Sequence, residues 1–205
     1  MQDELEQRWQ ALFPQADRNT IRKEFYSLVS RYSEPHRHYH TLAHVAACLR
    51  WLDQVREAVP NPLALELALW LHDVVYNARK QDNERISAEY AVSTLSLLKV
   101  ERACRDEVRQ LILVTEHPSV PNTPNQAWMV DIDLAILGAD ETNYDAYATQ
   151  VRQEYIHVPD ELFAGARKVL LQAFLDAPRL YYTDYFFQQL EARARANLIR
   201  ELATL

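Results

Sequence analysis

Asn61-Pro62-Leu63-Ala64-Leu65-Glu66-Leu67-Ala68-Leu69-Trp70-Leu71-His72-Asp73 decides how the rest of the chain is read. Asn61 is a good N-cap, and Pro62 suits the first helical position, where its missing N–H costs no hydrogen bond. From Leu63 to Leu71 only Glu66 interrupts the apolar run, so the spacing predicts a helix sunk in the core. His72 and Asp73 close that run. Polar side chains placed there enter an apolar interior, where burial is costly unless something satisfies them. A neutral imidazole beside a carboxylate is a metal-ligand pairing, and a bound cation would offset the desolvation. The plainer alternative is a histidine hydrogen-bonded to a neighbouring acid.

Outward from this helix, the pattern is helical almost everywhere. Leu5, Trp9, Leu12 and Phe13 share one side of a first helix over about residues 3–13. A second runs from near Asp17 to about Tyr32, and Pro35 then makes a loop of Ser33 to His40. Thr41 is an N-cap for a third helix carrying Leu42, Val45, Leu49 and Leu52. Beyond His72-Asp73, Asp82 or Asn83 caps a helix reaching Leu97, and another covers about 101–115. Three prolines, Pro118, Pro121 and Pro124, break helix after His117. Helices resume near Gln126, from about Asn143 to Tyr155, from Asp160 to Leu175, and from about Asp184 onward.

Composition agrees. Only two glycines, Gly138 and Gly165, occur in 205 residues, too few for many hairpins or a Gly-rich phosphate loop. The expectation is an all-α, single-domain bundle over 1–205, with a metal-site core at about 30–140 and C-terminal helices packed on it. A net charge of −7 argues against binding a nucleic-acid polymer, which needs lysines and arginines against phosphates. It leaves room for a small phosphorylated ligand. Cys48 and Cys104 fall among apolar helical neighbours without a C-x-x-C spacing, which reads as core packing in a reducing compartment. No apolar run has membrane length, and the acidic Met1-Gln2-Asp3-Glu4 start is not a signal peptide. The expected location is cytoplasmic.

Two further groups bear on His72-Asp73. His40 and His44 straddle the Thr41 cap, and His44 falls on the side of Val45 and Cys48, which makes it the better ligand of the pair. Asp131 and Asp133 lie among Trp128, Met129, Val130, Ile132 and Leu134. Asp131 could cap a helix starting at Ile132, but that role does not absorb both acids.

The order His44…His72-Asp73…Asp133 resembles the HD superfamily of metal-dependent phosphohydrolases. Four blocks are more closely similar to a bacterial branch of predicted HD-domain phosphohydrolases: Tyr32-Ser33-Glu34-Pro35…Arg37-His38-Tyr39-His40-Thr41-Leu42…His44, His72-Asp73-Val74-Val75-Tyr76, Asp82-Asn83-Glu84…Ser87-Ala88 and Asp131-Ile132-Asp133-Leu134. The similarity continues through Arg152-Gln153-Glu154-Tyr155 and Glu191 to Leu198. It implies a helical bundle with one divalent cation held by His44, His72, Asp73 and an aspartate. Matching the second acid of the Asp-x-Asp gives Asp133, with Asp131 as the other register.

Two imidazoles and two carboxylates suit Mn²⁺, Co²⁺, Ni²⁺, Fe²⁺ or Mg²⁺ better than a thiolate-type zinc site. Such an ion lowers the pKa of bound water, here the expected nucleophile, and screens charge on phosphoryl oxygens. The resemblance makes Glu84 the acid–base candidate beside Asp73; its alternative role is a first-turn acid favoured by the helix dipole. Arg37, His40, Asn83 and His117 are the expected substrate contacts, Arg37 through a bidentate fork to phosphate. The implied activity is hydrolysis of a nucleotide or other small phosphoester. A non-catalytic, metal-dependent binding or sensor module is the alternative.

Overall fold

The computed structural model describes residues 2–116 and 119–205. Among them the chain is all helical, without a strand. The helices are α1 (Gln2–Ala11), α2 (Arg18–Tyr32), α3 (Leu42–Val55), α4 (Pro62–Leu71), α5 (Asn83–Leu97), α6 (Arg102–Leu113), α7 (Pro124–Asp133), α8 (Glu141–Glu154), α9 (Asp160–Asp176) and α10 (Asp184–Leu202). Packing gathers them into two compact units, residues 1–129 and 130–205.

In the first unit, α4 is the core helix. Leu65, Leu67, Ala68, Leu69, Trp70 and Leu71 are all fully buried, and α4 packs on α3, α5 and α6. Trp9 and Phe25, from α1 and α2, set their rings edge-on to Trp70 at 5.4 and 6.4 Å. Glu66, the one polar residue of the run, is buried between Arg8 (2.6 Å) and Arg56; paired charge is what makes its burial tolerable. The N-terminus of α4 is fixed by Asn61, whose side-chain oxygen accepts from the Ala64 N–H at 3.2 Å. Glu107 of α6 accepts from both Asn61 Nδ2 (2.6 Å) and Asn125 Nδ2 (2.8 Å), so α4, α6 and α7 share one polar anchor.

In the second unit, a 3-10 turn at Leu134–Gly138 lies against α10. A Cβ at Gly138 would stand 2.6 Å from Leu190 Cβ, so only glycine permits that approach. Asn197 of α10 donates to the carbonyls of Leu137 and Ala139, both at 2.9 Å. Arg193 adds a bond to Gly138 O at 2.8 Å.

Several boundaries differ from the sequence reading. Thr123 Oγ1 accepts from the Gln126 N–H, so α7 starts at Pro124, with proline again in the first turn, rather than near Gln126. α8 starts at Glu141 because Asp140 is its cap, accepting from the Asn143 N–H at 3.0 Å. Asp82 precedes α5, but its carboxylate pairs with Arg85 instead of capping. His117 lies outside the described residues. No helix among the described residues is long and apolar enough to cross a membrane.

Candidate metal centre

α4 ends at Leu71 and delivers His72 into the interior with its backbone N–H still bonded to Ala68 O at 2.8 Å. His72 Nδ1 stands 3.1 Å from Leu69 O. A carbonyl can only accept, so Nδ1 carries the proton and, in the neutral ring, Nε2 carries the lone pair. That nitrogen meets two other groups: His44 Nε2 at 3.1 Å and Asp73 Oδ2 at 3.0 Å. Asp73 Oδ2 is also 3.7 Å from His44 Nε2.

His44 arrives from the first turn of α3, which Thr41 starts by accepting from the Ala43 N–H. The Tyr39 ring lies 4.8 Å from its ring centre, and Cys48 Sγ sits 3.7 Å from its Nε2. His44 and His72 are 6% and 1% exposed, whereas the Asp73 side chain is 17% exposed. Among the described residues, His44, His72 and Asp133 each bring a ligand atom to within 4.8 Å of the others. Asp133 is the last residue of α7. Two imidazoles and carboxylates in this arrangement can hold a divalent cation.

Asp131 does different work. It lies inside α7, not before a helix at Ile132, and is fully buried. Its oxygens accept from Tyr182 N (2.8 Å), Thr183 N (2.7 Å) and Thr183 Oγ1 (2.6 Å). Burial pushes its carboxyl up to about 6 in spite of those bonds. Asp131 thus ties down the residues that cap α10, and Asp133 is the member of the pair found with the histidines.

No family model, curated protein or solved structure matches this chain.

Two expected substrate contacts are occupied otherwise. The Arg37 side chain is fully buried. Its Nε donates to Glu34 (3.0 Å), Nη1 to the carbonyls of His40 (3.0 Å) and Asp73 (2.7 Å), and Nη2 to Val74 O (3.2 Å). The fork expected for phosphate grips backbone instead. Asn83 does the same, with Oδ1 accepting from Asn77 N at 3.0 Å and Nδ2 donating to Asn77 O at 3.2 Å. His40 stacks on Tyr76 with ring centres 4.1 Å apart and lies 6.2 Å from the His44 ring. Glu84 is half-buried in the first turn of α5.

The feature hidden in the sequence is how the segment after His72 is held. Tyr32 Oη donates to Trp70 O at 3.0 Å, and burial, then the Asp73 carboxylate, raises its pKa well above the ordinary value, keeping it a donor. Arg37 takes the carbonyls of Asp73 and Val74. Ser87 Oγ donates to Val75 O at 3.2 Å and accepts from Val75 N at 3.1 Å. His36 Nε2 reaches Tyr76 O at 2.8 Å, and Asn83 takes Asn77 O. Five successive carbonyls, 73 to 77, are each bound by a side chain.

Proposed function

We propose that this chain is a divalent-metal-dependent phosphohydrolase of the HD type, acting on a nucleotide or other small phosphoester. The observation that carries the reading is the meeting of His44 Nε2, His72 Nε2 and Asp73 Oδ2 within 3.0–3.7 Å, with Asp133 in the same cluster as the histidines. His44, His72, Asp73 and Asp133 would hold one ion. Mn²⁺, Co²⁺, Ni²⁺, Fe²⁺ and Mg²⁺ are the ions this donor set suits. When bound, a divalent cation supplies an acidified water and positive charge against phosphoryl oxygens.

The protein's own residues supply the rest. Leu69 O fixes the His72 tautomer, so the ring presents a lone pair without reorganising. Asp73, partly exposed, brings negative charge to the edge of the site that solvent and substrate can reach. His40, stacked on Tyr76, is set beside His44 with a polar ring able to meet a phosphate oxygen. Glu84 is the carboxylate assigned to take a proton from attacking water or return one to the leaving oxygen.

Metal analysis of purified protein, with a panel of phosphomonoesters, phosphodiesters and nucleotides, tests this. The expected result is phosphate or pyrophosphate release dependent on a divalent ion and abolished in Asp73→Ala. Absence of turnover with every metal and substrate would sink it. One observation favours a second reading, a metal-dependent binding module without turnover: Arg37 and Asn83 spend their polar atoms on backbone. Tight binding of a nucleotide that is recovered intact after long incubation would select it.

A further inference from the structure

We propose that Arg37 is a positioning residue for the metal centre, clamping the peptide that follows His72 so that Asp73 and the two histidines converge before any ion arrives. The inference rests on the metal reading above. Arg37 sits in the loop between α2 and α3, seven residues before His44, yet two of its bonds end on Asp73 O and Val74 O. A third ends on His40 O and a fourth on the Glu34 carboxylate. One planar cation therefore joins the strand of chain leading into the His44 helix to the strand leaving His72. The rings of Tyr32 and Tyr76 lie 5.2 and 5.5 Å from its guanidinium carbon, which adds cation–π attraction and fixes its plane.

The placement suits positioning rather than substrate binding. Helix α4 has ended, so the carbonyls of residues 73 and 74 have no helical N–H to receive. Holding them fixes the backbone from which the Asp73 side chain projects. A fork with several donors in one plane can hold two adjacent carbonyls and a third from another segment; the single ammonium of lysine cannot span them. Arg37 touches no metal-facing atom, so its influence passes through Asp73 and the loop bearing His40. Groups that orient metal ligands at this remove commonly change metal affinity about 10–100-fold.

The test is Co²⁺ titration of the wild-type protein, Arg37→Lys and Arg37→Met, read by calorimetry and by the visible Co²⁺ bands, beside the melting temperature of each metal-free protein. The expected result is at least about a tenfold loss of Co²⁺ affinity in both variants, with displaced visible bands and no rescue by lysine. Wild-type affinity and bands in either folded variant would overturn the proposal. So would a lowered metal-free melting temperature with unchanged Co²⁺ affinity. Failure of the wild-type protein itself to bind Co²⁺ would overturn the metal reading and this proposal together, which separates the two failures. If neither variant folds, hydrogen exchange of the wild-type protein decides. Co²⁺ must slow exchange in 34–40 together with 73–77; protection confined to 73–77 overturns the clamp.

Discussion

Two buried polar clusters of this molecule look alike by burial and differ in charge. In the second unit, Arg167 of α9, 6% exposed, donates to Glu201 through Nε (2.8 Å) and Nη2 (3.0 Å). Tyr144 donates to the same carboxylate, and burial followed by Glu201 raises its hydroxyl well above the ordinary value, so it stays a donor. Each of these contacts sets a donor against an acceptor, and Arg167 sets a positive charge against the Glu201 carboxylate. In the first unit, the contacts among His44, His72 and Asp73 bring Nε2, Nε2 and a carboxylate oxygen together. One proton has a fixed place, on His72 Nδ1. The first cluster is complete as a structural device. The second could hold an added cation, and that difference in charge separates a candidate site from a strut.

Breaking the strut should cost the most stability. Arg167→Met leaves the largely covered Glu201 carboxylate without its cation and is expected to lower unfolding free energy by about 3 kcal/mol, with divalent-metal affinity unchanged; urea denaturation and calorimetry check both halves. Breaking the site should do the reverse. His72→Ala is expected to lower metal affinity at least about 100-fold, roughly 3 kcal/mol, while changing metal-free stability far less than Arg167→Met does. A saturating divalent ion should stabilise the wild-type protein by about 2.7 kcal/mol at a hundred times its Kd. Chelator should then lower the melting temperature by roughly 5–10 °C, an effect absent in His72→Ala.

The Asp131–Asp133 pair sharpens the same contrast within one helix. Asp131→Ala strands the N–H groups of Tyr182 and Thr183 and should cost about 1–3 kcal/mol of stability with little change in metal affinity. Asp133→Ala should weaken metal binding instead. Equal effects of the two substitutions would erase the distinction. Ser87→Ala is the smallest change: Val75 loses both a donor and an acceptor, at about 1–2 kcal/mol, and metal affinity falls only modestly.

Most of the helical frame is legible in the sequence because capping is local. Thr41, Asn61 and Asp17 each bond an N–H two or three residues ahead, so residue type and spacing suffice to place them. His44 and His72 are legible for a related reason, being polar residues on otherwise apolar helical faces. The roles of Asp131 and Asp133 are not. Asp131 answers to Tyr182 and Thr183, more than fifty residues away, and no short-range pattern records that. Arg37 misleads for another reason. Its acceptors are mostly carbonyls, which every residue carries, so nothing in the identities of residues 73 and 74 announces an arginine bound to them. A buried arginine and a phosphate-binding one use the same fork.

The five tethered carbonyls after His72 bear on ion choice. A turn secured from the α2–α3 loop on one side and from α5 on the other has little freedom to widen or contract around a guest. Flexible oxygen cages adapt to Ca²⁺, with its long bonds and high coordination number, whereas a stiff frame of fixed nitrogens discriminates by radius and geometry. If a cation binds between His44 and His72, a turn tethered in this way would favour ions whose size matches the spacing it already holds, although the tethers never touch the ion.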